Sequence, residues 1–293
     1  MGQSDLVARD IPILLIPSPD IFAFRAARLR QLTEGHPLGD CVRFIVRLAE
    51  SQDILLKSLS GVSLPDAKLL AECKHYRIPP LTPAKWRRNM VWLMVLEDLV
   101  EMTILDASES VCTEMMELMN EDYKYLESLA DKLLSGQFPE VDWTYAPFIG
   151  AALQVYWTHL ARSLTTGQVP HPVHPNLCPV CGSKPIAFIE RLDGKAQGIC
   201  YLQCSLCGCE WQAAGTKCNN SENANWISFS SVWQGVSEES VEICHGCQSY
   251  LMTGKVNKVS CSEGYAKNFT VPAVELKMMG RETVNSITWC MRS

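Results

Sequence analysis

The sequence predicts an α+β protein: an all-helical N-terminal domain followed by two small, β-rich, metal-binding modules in tandem. Apolar residues recur at helical spacing from about residue 19 to residue 165. The proline-rich stretch from Gly167 to Pro175 then ends that spacing and marks a domain boundary. Beyond it lie eleven of the 14 cysteines, between Cys178 and Cys290. In a reducing compartment, cysteines clustered in this way are more often metal ligands than disulfides.

The helical domain is expected to span residues 1–168. Three apolar stripes at helical spacing identify helices, over Cys41 to Leu56, Met115 to Leu133 and Phe148 to Leu160. Thr82-Pro83 predicts a further helix start, with the threonine hydroxyl as N-cap and proline at the first helical position.

Side chains in these helices are assigned by their chemistry. The large apolar residues are expected to pack in the core, because any helix bundle requires them at this spacing; they include Trp86, Trp92, Met94 and Trp157. Arg25, Arg28 and Arg30 are expected on a solvated face, with a surface for an anionic partner as the alternative.

Charge and hydropathy limit the possible partners. The 293-residue chain has a net charge of -6, which provides no broad positive field for nucleic acid or anionic lipid. The apolar run Ile11 to Ile16 contains Pro12 and is a poor signal peptide. Met90 to Leu105 carries three acidic residues and cannot lie in hydrocarbon without burying them. A soluble, cytoplasmic protein without stable membrane insertion is therefore expected.

Three CxxC pairs follow the boundary: C178-P-V-C181-G, C204-S-L-C207-G and C244-H-G-C247. The first two pairs are separated by 22 residues. The same 22-residue separation precedes Cys244 if the remaining pair is taken as Cys218 to Ser221. The pattern indicates a duplicated unit, with a first module at residues 169–215 and a degenerate second module at 216–262.

The first module carries a complete set of metal ligands. A CxxC turn brings two thiolates to one metal ion, and the following glycine supplies a conformation that other residues resist. We call such a CxxC turn a knuckle. Two knuckles provide four sulfurs in a tetrahedral arrangement, which suits zinc or a single iron ion. The predicted ligands are Cys178, Cys181, Cys204 and Cys207.

The second module is incomplete. Cys218, Cys244 and Cys247 supply three thiolates, and the fourth position is open to Ser221, water, His245 or a displaced Cys209. An open fourth position is typical of a catalytic or labile metal. Loss of metal binding at this site is the alternative.

Residues with strand preference alternate with turn residues around the knuckles. Predicted strands lie at Ile186 to Ile189, Ile199 to Leu202, Trp211, Trp226 to Phe229 and Val241 to Ile243. Small ribbons of rubredoxin or zinc-ribbon type are therefore expected, each dependent on its metal for stability. The C-terminal segment, residues 263–293, is expected to be helical.

Six segments of the chain carry a similarity to a known family: RAARLRQLTEGHPLGD (Arg25 to Asp40), APFIGAALQVYW (Ala146 to Trp157), CPVCGSKPIA (Cys178 to Ala187), YLQCSLCGCEW (Tyr201 to Trp211), KCNNS (Lys217 to Ser221) and CHGCQSYL (Cys244 to Leu251). Through them the chain resembles, over nearly its whole length, the FdhE-type formate dehydrogenase accessory proteins. This chain departs from the family at Ser221, where the family has cysteine.

The resemblance implies a cytoplasmic maturation factor, which binds the catalytic subunit of a respiratory, molybdenum-dependent formate dehydrogenase before export. It also implies two rubredoxin-like modules that hold iron, with zinc as the alternative metal. The implied ligands are Cys178, Cys181, Cys204 and Cys207 in one module, and Cys218, Cys244 and Cys247 in the other. Self-association stays open.

Two other classes of function compete with this interpretation. A zinc-ribbon nucleic-acid binder would need a cationic ribbon region, but residues 171–262 hold slightly more acidic than basic side chains. A rubredoxin-like electron carrier would need iron, since zinc does not change oxidation state. Motifs of serine hydrolases, P-loop proteins and HExxH metalloproteases are missing from the sequence, so a non-catalytic protein is expected.

Overall fold

The computed structural model describes residues 12–33, 39–137, 145–171, 173–191, 199–212, 226–230, 240–244 and 250–256. The described helices are α1 (Ile21–Thr33), α2 (Gly39–Ser58), α3 (Ala67–Tyr76), α4 (Val91–Thr103), α5 (Glu109–Met119), α6 (Tyr123–Ser135) and α7 (Ala146–Arg162). The described strands are β1 (Leu14–Leu15), β2 (Pro185–Arg191), β3 (Ile199–Cys204), β4 (Glu210–Gln212), β5 (Trp226–Ser230), β6 (Ser240–Cys244) and β7 (Tyr250–Val256). A helical N-terminal region followed by a sheet confirms the α+β class.

Local chemistry determines where several helices begin and end. The side chains of Asp66, Ser108 and Asp122 each accept a hydrogen bond from a backbone N–H in the first turn of α3, α5 and α6. Helix α6 ends at Gly136, whose φ of 75° lies in the left-handed region that glycine tolerates.

Two predicted helices are confirmed as α2 and α7, but two other predictions are wrong. The stripe from Met115 to Leu133 is divided between α5 and α6, because Asp122 caps a new helix. Thr82 begins only a single turn, in which its carbonyl accepts from the N–H groups of Lys85 and Trp86. The long helix that follows starts later, at Val91.

The sheet has the strand order β1-β4-β3-β2-β7-β6-β5. Strands β2, β3 and β4 form one antiparallel set, and β5, β6 and β7 form a second. The two sets join where β2 runs parallel to β7. The predicted strands are confirmed as β2 to β6, while β7 was not predicted. The segment 263–293, for which a helix was predicted, lies outside the described residues.

Helix α7 is the centre of the core. It packs against α2, α4 and α6, and Tyr156 and Trp157 on it are fully buried. The same continuous core contains Cys178, Cys181, Cys204 and Cys207. The first pair of knuckles is therefore built onto the helical region and shares its apolar interior.

The burial of Arg25 and the exposure of Met94 correct two predictions. Arg25 is only 5% exposed, because α1 turns it into the space between α2 and α7, where amide side chains receive its guanidinium. Met94 is 58% exposed on the outer face of α4, whereas Trp92 and Trp157 are buried as predicted. In the described part of the chain, no helix combines the length and the apolar character needed to cross a membrane.

Candidate metal site

Four cysteine sulfurs meet at one point between the helical region and the sheet. The Sγ atoms of Cys178, Cys181, Cys204 and Cys207 all lie within 4.8 Å of one another, and all four residues are fully buried. The Sγ–Sγ distances are 3.6 Å from Cys178 to Cys207, 3.4 Å from Cys181 to Cys204 and 3.6 Å from Cys181 to Cys207. Four thiolates around a tetrahedral zinc ion lie about 3.8 Å apart, given Zn–S bonds of about 2.3 Å. The sulfurs are thus placed to hold such an ion.

Each knuckle is shaped by a glycine in the left-handed region. Gly182 has a φ of 76° and donates its N–H to the carbonyl of Cys178 at 2.8 Å. Gly208 has a φ of 72°. In the second knuckle, the N–H groups of Leu206 and Cys207 both point at Cys204 Sγ, at 3.4 Å. These N–H groups stabilise negative charge on that sulfur.

Two side chains of helix α7 donate hydrogen bonds to the second knuckle. Gln154 Nε2 donates to the carbonyl of Ser205 at 3.0 Å, and the hydroxyl of Thr158 donates to the carbonyl of Cys207 at 3.4 Å. Both acceptors belong to the Cys204–Cys207 turn. The carbonyls of the turn therefore have hydrogen-bond partners in the helical region. The N–H groups of the turn point the other way, at the candidate metal position.

Helix α7 also supports the first knuckle, through an intermediate residue. Trp157 Nε1 donates to the carbonyl of Leu81 at 2.9 Å, and the N–H of Leu81 donates to the carbonyl of Val180 at 2.9 Å. Val180 lies between Cys178 and Cys181. Neighbouring residues on one helix thus position both knuckles.

A buried polar chain extends this support into the other helices. Gln154 Oε1 accepts from the guanidinium of Arg25 at 3.0 Å and from Gln52 Nε2 at 3.2 Å. Gln52 also accepts from Arg25 at 3.1 Å and donates to the carbonyl of Ala151 at 2.9 Å. Helices α1, α2 and α7 are therefore linked to the second knuckle by paired polar groups, as buried polar groups require.

The electrostatics of the cluster favour a bound cation. Burial raises the pKa of Cys204 and Cys207 well above the ordinary thiol value, and neighbouring sulfurs add to the rise. Burial also opposes ionisation of Cys178, but hydrogen bonds from the surrounding thiols lower its pKa well below that value. Without a metal, ionisation of Cys204 and Cys207 is therefore disfavoured, whereas ionisation of Cys178 is favoured. A divalent cation supplies the charge that four buried thiolates need.

Cys209 lies against this first site. It is fully buried, its carbonyl accepts from the N–H of Cys204 at 2.8 Å, and its thiol interacts with Cys178 and Cys207. Burial, followed by the contact with Cys178, raises the pKa of Cys209. The sequence left Cys209 open as a displaced ligand of the second site, whereas the structure places it here.

The second predicted site lies mostly outside the described residues. Cys218, Ser221, His245 and Cys247 are not among them. The backbone of Cys244 is described, and this residue ends β6 as Cys204 ends β3. The second site therefore stays a prediction.

Sequence reasoning did not identify the residues that support the knuckles: Arg25, Gln52, Leu81, Gln154 and Thr158. One signal was available for Gln154. It is a polar residue in a stretch of α7 that is otherwise apolar up to Trp157, and an amide that is half-buried in such a helix needs hydrogen-bond partners. The partner at Ser205 could not be deduced, because it lies 51 residues along the chain.

The fold and site together define a class: a helical protein carrying a small sheet and a buried four-cysteine group that could hold a metal ion. The chain belongs to the FdhE family. Residues 11–172 match the sequence model described as "FdhE, N-terminal", and residues 177–214 match "FdhE, central domain". The family resemblance predicted from the sequence is confirmed.

Similar proteins match over most of their length. A "Protein FdhE homolog" of Pseudomonas aeruginosa is 36% identical over 255 residues, which is 85% of this chain and 82% of that protein. One from Pseudomonas putida is 32% identical over 285 residues, which is 95% of this chain and 89% of that protein. The crystal structure of the FdhE protein from Pseudomonas aeruginosa superposes with a TM-score of 0.83 at 31% identity, covering 96% of this chain and all of that one.

Proposed function

We propose that this chain is a cytoplasmic accessory protein for the maturation of a respiratory formate dehydrogenase, and that it binds the catalytic subunit of that enzyme before export. The supporting observation is its membership of the FdhE family across both the helical region and the first cysteine module. The accessory role is the one that the family resemblance implies for its members.

The first site is proposed to hold one metal ion, liganded by Cys178, Cys181, Cys204 and Cys207. Four buried thiolates fill all four positions of a tetrahedral ion, so neither substrate nor water has an open position on the metal. A closed site of this kind stabilises a fold and does not activate a water molecule. This supports a non-catalytic role for the protein.

Iron is the proposed metal, on the family resemblance, and zinc is the alternative. The donor set suits both, since soft thiolates bind either ion. Elemental analysis of anaerobically purified protein, with its visible absorption spectrum, distinguishes them. Iron–thiolate charge-transfer bands would support iron, whereas a colourless protein with one zinc per site would establish zinc.

The strand order supports the proposal of two rubredoxin-like modules. The first antiparallel set consists of three strands that are consecutive in the chain, β2, β3 and β4. The second set consists of the next three, β5, β6 and β7, joined in the same way. Cys204 ends β3 and Cys244 ends β6, so the two CxxC knuckles follow equivalent strands. The proposed second site uses Cys218, Cys244 and Cys247, with Ser221 as the fourth candidate.

A gene-deletion strain tests the accessory function. We expect such a strain to contain the formate dehydrogenase polypeptide in inactive form, with activity restored by the wild-type gene. Cys181→Ser/Cys204→Ser, which removes one ligand from each knuckle, should not restore it, whereas Cys112→Ser should. Normal formate dehydrogenase activity in the deletion strain would refute the proposal.

An electron carrier is the second candidate, favoured by the two backbone N–H groups directed at Cys204 Sγ. Hydrogen bonds to a ligand sulfur tune the potential of an iron–thiolate centre. This function requires reversible reduction of the purified protein, so a zinc-loaded or redox-inactive protein would exclude it.

A further inference from the structure

A cationic segment stands out in this acidic chain. Between Glu72 and Glu97 the sequence contains no Asp or Glu, yet it holds Lys74, Arg77, Lys85, Arg87 and Arg88, together with His75. We call residues 74–88 the basic segment. It begins at the end of α3 and ends just before α4.

Most of the cations in the basic segment have no carboxylate partner. Arg88 pairs with Glu127 and with Asp131, the latter at 2.6 Å, and its side chain is only 6% exposed. In contrast, Lys74, Arg77, Lys85 and Arg87 are exposed, and none of them forms an ion pair with a described residue. Lys74 Nζ donates to the carbonyl of Gly167 at 2.8 Å, so Arg77, Lys85 and Arg87 are the cations most available to a partner.

The first knuckle of the metal site holds this segment in place. The N–H of Leu81 donates to the carbonyl of Val180, between the two knuckle cysteines, at 2.9 Å. A Cβ on Gly182 would lie 3.7 Å from Pro79 Cγ, so the knuckle packs directly under the segment. Arg77, with a φ of 54°, ends α3 in the left-handed region and donates its N–H to the carbonyl of Lys74. The cations are thus presented by a defined backbone.

The end of α3 carries an aromatic pair beside Lys74 and Arg77. The adjacent Tyr76 is 67% exposed and packs edge-on against His75, with ring centroids 4.8 Å apart. Tyrosine and arginine together are typical of protein–protein interfaces.

We infer that the basic segment is a docking surface for an acidic segment of a partner protein. The inference rests on the proposed function, in which that partner is the formate dehydrogenase catalytic subunit. Charge complementarity favours a short acidic peptide over nucleic acid. The chain as a whole has a charge of -6, which repels a long polyanion, and Glu127 and Asp131 limit the cationic surface beside Arg88.

The test measures binding of the full-length, metal-loaded protein to the purified catalytic subunit, at about 0.01 M and about 0.15 M salt, where the Debye length is roughly 30 Å and 8 Å. The variant is Lys85→Gln/Arg87→Gln, and Arg43→Gln/Lys124→Gln on exposed parts of α2 and α6 is its charge-matched control. We expect the first pair to raise the Kd at least about five-fold at low salt and less at high salt. The control pair should leave the Kd unchanged.

Equal binding by both variants would overturn the docking surface and leave the accessory function standing. If the wild-type protein does not bind the subunit at all, the accessory function fails. A labelled oligoglutamate peptide then decides the inference: binding that depends on Lys85 and Arg87 supports it, and no binding overturns it. Tighter binding of a labelled oligothymidylate through the same two residues would assign the surface to nucleic acid and overturn the inference.

Discussion

Gln154, in the middle of α7, donates a hydrogen bond from Nε2 to the backbone carbonyl of Ser205 at 3.0 Å. Ser205 lies inside the knuckle that begins at Cys204 and ends at Cys207. On its other side, the same amide accepts from Arg25 and Gln52. Together with Thr158, which donates to the carbonyl of Cys207, Gln154 links the helical region to the second knuckle. The geometry of the candidate metal site therefore depends on α7.

Replacement of Gln154 by alanine should weaken both the fold and metal retention. The change removes one hydrogen bond from the Ser205 carbonyl and one from the Arg25 guanidinium, for which we expect a loss of about 1–3 kcal/mol in the free energy of unfolding. The loss is measured by denaturant unfolding, and metal retention by the rate of transfer to a chromophoric chelator. Gln137→Ala, at an exposed position, should change the unfolding free energy by less than about 0.5 kcal/mol. Equal effects of the two substitutions would contradict the proposed support.

Gly208→Ala should destabilise the protein, because Gly208 adopts a backbone conformation that alanine disfavours and has no room for a Cβ atom. The φ of 72° is strained for alanine, and a Cβ would lie 2.5 Å from Ile21 Cδ1. We expect a loss of about 1–3 kcal/mol. Gly150→Ala is the matched control, since a Cβ there meets nothing within 4 Å and α7 gains a better helix former. It should be neutral or stabilising by up to about 1 kcal/mol, as measured by thermal unfolding.

Cys204→Ser should release the metal from the first site. Cys204 Sγ is the sulfur that receives two backbone N–H groups, and its loss leaves three thiolates and two misdirected donors. We expect the metal-to-protein ratio to fall by about one ion, as measured by elemental analysis, with a lower melting temperature. Cys112→Ser, at a half-buried free cysteine on α5, should change neither value. Full metal content in Cys204→Ser would refute its assignment as a ligand.

The metal-free and metal-loaded proteins should respond to pH in opposite directions. In the metal-free fold, burial raises the pKa of Cys204, Cys207 and Cys209 well above the ordinary thiol value, whereas the pKa of Cys178 is lowered by hydrogen bonds from neighbouring thiols. A raised pKa in the folded state contributes stability below the pKa of the unfolded state, about 8.5, and that stability is lost as the pH rises through the folded value. Unfolding of metal-free protein should therefore become easier above about pH 8.5.

Metal-loaded protein should instead lose its ion as the pH falls, since protons then compete for the thiolates. This expected loss of metal is checked by measuring the chelator-accessible metal across the same pH range. Metal retention that rises on acidification would rule out thiolate ligation.

Ser221→Cys should complete the second site. The repeat in the sequence places Ser221 where a second cysteine would complete the pair that begins at Cys218. A fourth thiolate should raise the metal-to-protein ratio or slow metal release from this module. Elemental analysis against Ser135→Cys, which adds an exposed thiol at the end of α6, separates ligation from nonspecific thiol binding. An unchanged metal-to-protein ratio in Ser221→Cys would show that the missing fourth cysteine does not limit metal binding at the second site.

Much of the secondary structure could be predicted because its signals are local. The apolar stripe from Cys41 to Leu56 identifies α2, and strand-forming residues around the knuckles identify β2 to β6. The wrong predictions arose where tertiary contacts outweigh local signals. Thr82-Pro83 has the chemistry of a helix start, but Leu81 pairs with Val180 and Arg88 pairs with Glu127, and these contacts keep the chain from continuing as a helix before Val91.

The four-cysteine group of the first site was predicted from the sequence alone, and the structure brings its sulfurs together. A CxxC turn followed by glycine has one local geometry that suits a metal, so Cys178, Cys181, Cys204 and Cys207 could be named without a structure. The residues that position those turns through hydrogen bonds could be identified only from the tertiary structure. Arg25 is buried and Gln154 reaches Ser205 because helices distant in sequence pack around α7, and no local pattern in the sequence shows which distant carbonyl the Gln154 amide will contact.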